Sequence, residues 1–125
     1  MDINFQLNFE KRTIVAYTND VRDTIAEHVI TRFPELSWLD VLRLLKKKNI
    51  PDSLVGKARC SPEDEFDETV GYRIAEYRLK QRFARAITRA YSILAENEYK
   101  RSSRLMDIAV KYAHSIDDDD KYVTQ

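Results

Sequence analysis

The chain has 125 residues, of which 43% are hydrophobic and 34% are charged, and its 21 basic side chains balance 21 acidic ones. This length and composition predict one globular domain with a modest core. No run of about 18 apolar residues occurs, so no membrane span is expected, and Met1–Phe5 lacks the basic flank and apolar core of a signal peptide. The one cysteine, Cys60, cannot form an internal disulfide, which favours a reducing cytosol.

Two strands are predicted at the N-terminus. Every second residue from Ile3 to Phe9 is apolar, a period of two that indicates a strand with one buried face. The β-rich run 13–18 predicts the second strand. The connection 10–12 is short, which favours an antiparallel hairpin.

Two short helices follow. The first is capped by Asn19 or Asp20 and extends to about Phe33, where the following proline ends it, since the residue before a proline is pushed out of helical conformation. Ser37 caps the second helix, which extends to about Lys48. Its last turn is rich in lysine, and cations suit the negative end of the helix dipole without any ligand.

A third strand is predicted over residues 54–60. Leu54, Gly56, Ala58 and Cys60 fall on one side of it, and the charged residues fall on the other. The order of elements is therefore β-β-α-α-β followed by helix.

The segment from Ser61 to Tyr99 reads as one long amphipathic helix. Ser61 is a suitable N-cap, proline fits the first helical position, and the acids that follow suit the positive end of the dipole. An unbroken helix of this length would extend about 57 Å, which exceeds the width of a small domain. Either the helix projects and packs against another chain, or it breaks. Gly71 is one possible breakpoint, and Asn97 with residues 100–103 is a better one, after which the last helix would fold back on the long one as a hairpin.

The predicted fold class is α+β: a small, mainly antiparallel three-stranded sheet with two short helices and a long C-terminal helical hairpin. Residues 1–116 are expected to form a single domain. Residues 117–125 are expected to form an acidic disordered tail, because four adjacent aspartates repel one another and bury nothing.

An arginine stripe is the best functional candidate. At 100° per residue, four arginines share one side of the long helix and cover about 16 Å of its length. They are Arg78, Arg82, Arg85 and Arg89. The opposite side is apolar and consists of Phe83, Ala84, Ile87, Tyr91 and Leu94. Guanidinium groups bind phosphates or carboxylates, so the stripe fits a nucleic-acid backbone or an acidic protein surface, and a solvated polar face is the alternative interpretation.

Other constellations do not favour catalysis. His28 and His114 have no further ligand at metal-binding spacing. Cys60 precedes a predicted helix N-terminus, which suits a reactive thiolate, although a lone cysteine at a strand end is more often a core residue. The acids at 63–68 suit a helix dipole better than acid–base chemistry. Phosphate-cradling and nucleophile-elbow motifs are missing from the sequence. No enzyme, metal or cofactor is expected.

One segment resembles a known group of proteins. Residues 56–68 read Gly-Lys-Ala-Arg-Cys-Ser-Pro-Glu-Asp-Glu-Phe-Asp-Glu, and Gly71, Ile74, Ala75 and Arg78 follow. This pattern is similar to a motif in small uncharacterised proteins of phages and prophages of Gram-positive bacteria. The resemblance implies a phage-encoded accessory protein, a kind that often binds and inhibits a host factor such as a defence system. It implies no catalytic residue.

The sequence therefore predicts a non-catalytic protein that binds a host macromolecule. A host protein is the first choice of partner, and a nucleic acid bound by the arginine stripe is the alternative. A homodimer is also expected, because Tyr72, Ala86, Ala90 and Ile93 widen the apolar side of the long helix beyond what one short sheet covers.

Overall fold

The computed structural model describes the backbone of residues 1–124 and the side chains of residues 1–114. The elements, in chain order, are β1 Asn4–Asn8, β2 Thr13–Thr18, α1 Val21–Arg32, α2 Trp38–Lys47, β3 Leu54–Arg59 and α3 Glu68–Thr124. The predicted α+β class with a three-stranded antiparallel sheet is confirmed. The chain divides into two compact units, Met1–Tyr91 and Ser92–Gln125.

β2 is the central strand of the sheet, with β1 and β3 on its two sides. Ile14 of β2 lies opposite Leu7 of β1 and opposite Ala58 of β3. The alternation in the sequence sets this register, because Ile14 and Ala16 are fully buried while their neighbours along the strand are only half-buried. The predicted buried face of β1 is only partly covered, since Phe5 remains exposed although its ring packs edge-on against Tyr72.

α3 packs across the inner face of the sheet. Ala75 and Leu79 join Ile14, Ala16 and Ala58 in one buried cluster. A glycine makes this contact possible: a β-carbon at Gly56 would overlap the backbone of α3. The side chain that β3 lacks at this position thus allows the helix to lie directly on the strand.

α1 and α2 complete the core of the first unit. Their buried residues are Val21, Ile25, Ala26, Val29, Val41 and Leu45. Ser37 caps α2 as predicted, since its hydroxyl accepts from the Asp40 amide at 3.4 Å. Asp20 holds the cap position of α1, but its side chain makes no cap hydrogen bond. Asp52 does so from the turn before β3, where its carboxylate accepts from the Arg22 amide at 3.2 Å.

The start of α3 differs from the prediction. The helix begins at Glu68, and the carboxylate of Asp67 accepts from the Val70 amide at 3.3 Å. Ser61 instead stabilises a turn, because its carbonyl accepts from the Asp64 amide at 3.1 Å. Ser61 and Asp67 both carry a side chain suited to an N-cap, and the helix begins after Asp67.

The better of the two predicted breakpoints is helical, since α3 includes Asn97 and residues 100–103. Asparagine and serine lower helix propensity by less than about 1 kcal/mol each, which is too little to end a helix by themselves. In the second unit the apolar residues Leu105, Ile108 and Tyr112 are exposed. The predicted acidic tail, 117–125, lies outside the residues whose side chains are described and stays a prediction.

Candidate functional site

The arginine stripe, defined as Arg78, Arg82, Arg85 and Arg89, is exposed throughout. The sequence analysis placed the stripe on the side of α3 opposite its apolar side. In the structure the stripe does not lie opposite the packed face of the helix. The fully buried residues of this part of the helix are Ala75, Leu79 and Ala90, with Ala86 nearly so. At 100° per residue the arginines lie only about 50 to 110° from the centre of that face. The stripe therefore flanks the sheet and α2, within reach of both.

The two ends of the stripe are tied to neighbouring main chain. Arg78 donates from Nη1 to the carbonyl of Lys57 in β3. Arg89 donates from Nη2 to the carbonyl of Lys48 at 2.9 Å, where α2 ends. A guanidinium at this position satisfies one of the free carbonyls of a helix C-terminus and suits its negative dipole. Each of these arginines keeps further donors, since a guanidinium carries five.

The two arginines in the middle of the stripe, Arg82 and Arg85, lie among other cations, and no carboxylate lines their cavity. Arg82 and Arg85 make no hydrogen bond or ion pair with another described side chain. Together with Lys57, Arg78 and Gln81 they line an open cavity of about 360 Å³ between β3 and α3. No acidic residue lines this cavity. The local field is therefore positive, although the whole chain is neutral.

Such an arrangement is suited to a multivalent anion. Arginine presents planar pairs of donors that match carboxylate or phosphate oxygens, and the bonds are strengthened by charge. The spacing along the helix, about 16 Å from Arg78 to Arg89, suits an extended partner better than a single small anion. Lys57 was not singled out from the sequence, but its place on the exposed side of β3 follows from the alternation of that strand.

Cys60 belongs to a structured turn. Its thiol lies 3.6 Å from the carbonyl of Glu65 and 3.7 Å from Nη2 of Arg12, and it is half-buried. Arg12 also donates to the carbonyls of Pro62 and Asp64. Sequence reasoning missed Arg12, whose role depends on a contact between residues about fifty positions apart in the chain.

The histidines and the acids at 63–68 do not form a cluster of metal ligands in the described part of the chain. His28 shares a hydrogen bond of 2.6 Å between its Nδ1 and the hydroxyl of Tyr91, and His114 is exposed. Asp67 caps α3. Among the residues that the structure describes, no three His, Cys, Asp or Glu side chains lie together as metal ligands would.

Tyr77 directly precedes the first arginine of the stripe on α3. Its side chain is 62% exposed, and its hydroxyl accepts from the Gln81 amide at 2.8 Å. It lies about 100° around α3 from Arg78, so the stripe itself contains no aromatic ring. Its hydrogen-bond partner Gln81 lines the cavity.

Comparison of the chain with protein-family models, with curated proteins and with solved structures found no match in any of the three. No helix in the described part of the chain is both long and apolar enough to cross a membrane.

Proposed function

We propose that this is a non-catalytic phage accessory protein that binds an acidic surface of a host protein through the arginine stripe. It would act in the cytoplasm of the bacterial host, where inhibition of a defence system is one role that such binding serves. The resemblance of residues 56–78 to small phage proteins supports the setting. The stripe supports the mode of binding.

The observation that carries the proposal is the cavity lined by Lys57, Arg78, Arg82 and Arg85 without a carboxylate. Like charges gathered on one surface raise the energy of the free protein, and a partner of opposite charge relieves that repulsion. Lys80, on the same part of α3, is by contrast paired with Glu76 at 3.0 Å.

Nucleic acid is the second candidate partner, because the same guanidinium groups bind phosphates. The exposure of Tyr77 beside the cavity favours this alternative, since aromatic rings stack on bases. A protein partner remains the first choice for two reasons. The stripe has no ring of its own, and the chain as a whole carries no net positive charge to attract a polyanion.

Affinity capture from a bacterial lysate, with and without nuclease, tests the proposal. The bait is the native protein, compared with a double variant, Arg82→Ala with Arg85→Ala. A matched control, Arg43→Ala with Arg73→Ala, removes the same charge from exposed positions outside the stripe. We expect a specific host protein that survives nuclease treatment and that only the stripe variant loses. Capture of nucleic acid alone would establish the second candidate instead.

Salt dependence separates the two partners further. Each phosphate neutralised in a nucleic-acid complex contributes about −0.9 to the slope of log K against log salt. Three or four arginine contacts would therefore give a slope of about −3 to −4. A protein partner should show a shallower slope.

We also propose that the chain forms a homodimer, through a part of α3 other than Ala86 and Ala90. Those two residues are buried within the first unit, so they are not available to a second copy. In the second unit Leu105, Ile108 and Tyr112 share one side of α3 and are exposed. A second copy of the same helix face would cover them.

A further inference from the structure

We propose that the partner binds as an extended acidic strand that adds to the free edge of β3, with its carboxylates in the cavity of the arginine stripe. This inference rests on the proposed function and specifies its geometry. It identifies an acidic peptide segment, held by main-chain hydrogen bonds, as the element that the site recognises.

The direction of the backbone groups of β3 follows from the ladder. The Cys60 amide donates to the carbonyl of Arg12 at 3.0 Å, so these two residues form a hydrogen-bonded antiparallel pair. Hydrogen-bonded pairs recur at every second residue of an antiparallel ladder. The main-chain amides and carbonyls of Ala58 and Gly56 therefore also point toward β2. The amides and carbonyls of the residues between them therefore point away from β2. Those residues are Val55, Lys57 and Arg59.

The outer edge of β3 is open to a partner. In the described part of the chain no strand pairs with it. Val55 is 42% exposed, and Lys57 and Arg59 are also exposed. An exposed row of unpaired amides and carbonyls is a template for a further strand.

Arg78 occupies the middle of this edge. The carbonyl of Lys57, which the ladder directs outward, accepts its guanidinium. This contact blocks the edge against strands in general, as charged groups on edge strands commonly do. A carboxylate is a stronger, bidentate acceptor for the same guanidinium than a neutral carbonyl is. An acidic strand can thus draw Arg78 away from Lys57 and open the edge, whereas a neutral strand cannot.

Charge also excludes a second copy of β3 as the occupant. The strand carries Lys57 and Arg59 and no acidic residue. Antiparallel pairing of two copies would bring these cations close to one another, and like charges on adjacent strands are destabilising. The edge therefore favours a foreign, acidic strand over self-association.

The test uses a fluorescent octapeptide of alternating glutamate and threonine, with binding measured by fluorescence anisotropy. When an antiparallel added strand has its glutamates facing α3, the amides of the threonines point toward β3. N-methylation of the threonines removes these donors and should weaken binding at least tenfold. N-methylation of the glutamates adds the same number of methyl groups on the other edge and should change binding less than threefold. A lysine–threonine octapeptide should not bind.

Protein variants provide the second arm. Val55→Pro removes an outward amide that β2 does not use, and proline is tolerated on an edge strand. We expect at least tenfold weaker peptide binding with an unchanged circular dichroism spectrum. If that variant fails to fold, the two methylated peptides still decide the matter on the native protein.

The inference and the proposed function fail in different ways. Equal binding of the two methylated peptides would overturn strand addition, while loss of that binding in the Arg82→Ala, Arg85→Ala variant would uphold the stripe as a binding surface. Binding of a single-stranded oligothymidylate in place of the peptide would overturn the acidic strand and favour nucleic acid. If the Arg82→Ala, Arg85→Ala variant captured the same host protein as the native chain, the proposed function itself would be overturned.

Discussion

Gly56 of β3 lies directly against Leu79 of α3: a β-carbon at residue 56 would be 3.0 Å from the Leu79 α-carbon and nearer still to its amide nitrogen. The neighbours are backbone atoms of a helix that cannot move without shifting the whole packing of α3 on the sheet. The contact sets the distance between the two layers of the first unit, and with it the position of the arginine stripe beside β3.

We expect Gly56→Ala to lower the free energy of unfolding by about 1–3 kcal/mol or more, as overpacking of a tight contact does. Urea unfolding followed by circular dichroism measures it. Gly71→Ala is the matched control, since there the added carbon would meet side-chain atoms of Ile14, of which only the terminal Cδ1 is closer than ordinary contact. That side chain can change rotamer, so the loss should be smaller. A larger loss at Gly71 would contradict this account of the interface.

The sequence predicted the elements better than it predicted their contacts. Period-two alternation located the strands, and Ser37 correctly marked the start of α2. The start of α3 was wrong because Ser61 and Asp67 are both suitable caps, and local sequence does not choose between them. Asp52 was missed as a cap of α1 because it comes from a distant turn.

The candidate site could be predicted only in part, because its position depends on contacts between residues distant in the sequence. The four arginines could be found from helical spacing, but their position relative to the core could not. The packed face of α3 consists mostly of alanine, with Ala75, Ala86 and Ala90 buried, because Gly56 brings the helix backbone close to the sheet. A hydrophobicity pattern gives more weight to large residues, and it therefore placed the core on the side of Phe83.

The four arginines should separate into two classes by their effect on stability. Arg89→Ala removes the hydrogen bond to the carbonyl of Lys48 at the end of α2. The expected loss is about 1–2 kcal/mol, within the range for hydrogen bonds to charged groups after allowance for exposure. Arg82→Ala and Arg85→Ala should each change the free energy of unfolding by less than about 0.5 kcal/mol, as surface substitutions do. Chemical denaturation measures all three.

A similar loss at Arg82 would mean that the cavity cations serve the fold rather than a partner. For this reason the double variant at 82 and 85 is a cleaner test of binding than a variant that lacks all four arginines, in which weakened binding and weakened folding would be mixed.

Arg12 should control access to Cys60. Its guanidinium donates to the carbonyls of Pro62 and Asp64 and lies over the ring of Phe66, so it fixes the turn that surrounds the thiol. Hydrogen bonds from a charged group contribute about 1.5–3 kcal/mol each. Arg12→Ala should therefore increase the rate at which Ellman's reagent labels the native thiol by about tenfold or more, through local opening.

Arg59→Ala is the control for that experiment, because Arg59 is exposed at the end of β3 and its removal should leave the labelling rate within about a factor of two. Equal acceleration in both variants would show that general charge near the thiol, rather than the Arg12 contacts, governs its exposure.

Self-association should depend on one side of α3 in the second unit. Leu105 is 59% exposed, and Ile108 and Tyr112 lie beside it at helical spacing. Sedimentation at tens of micromolar should show a dimer for the native chain and a monomer for Leu105→Glu with Ile108→Glu. The two added carboxylates would be buried in the interface with no cation to balance them.

The control for the dimer is Met106→Glu with Val110→Glu. These residues are also exposed, but they lie about 100 to 140° around the helix from Leu105. The substitutions add the same charge to the same segment, so a general repulsion between copies would dissociate both variants alike. Dissociation of only the Leu105 and Ile108 variant would assign the interface to that side of α3, and a native chain that sediments as a monomer would reject the dimer.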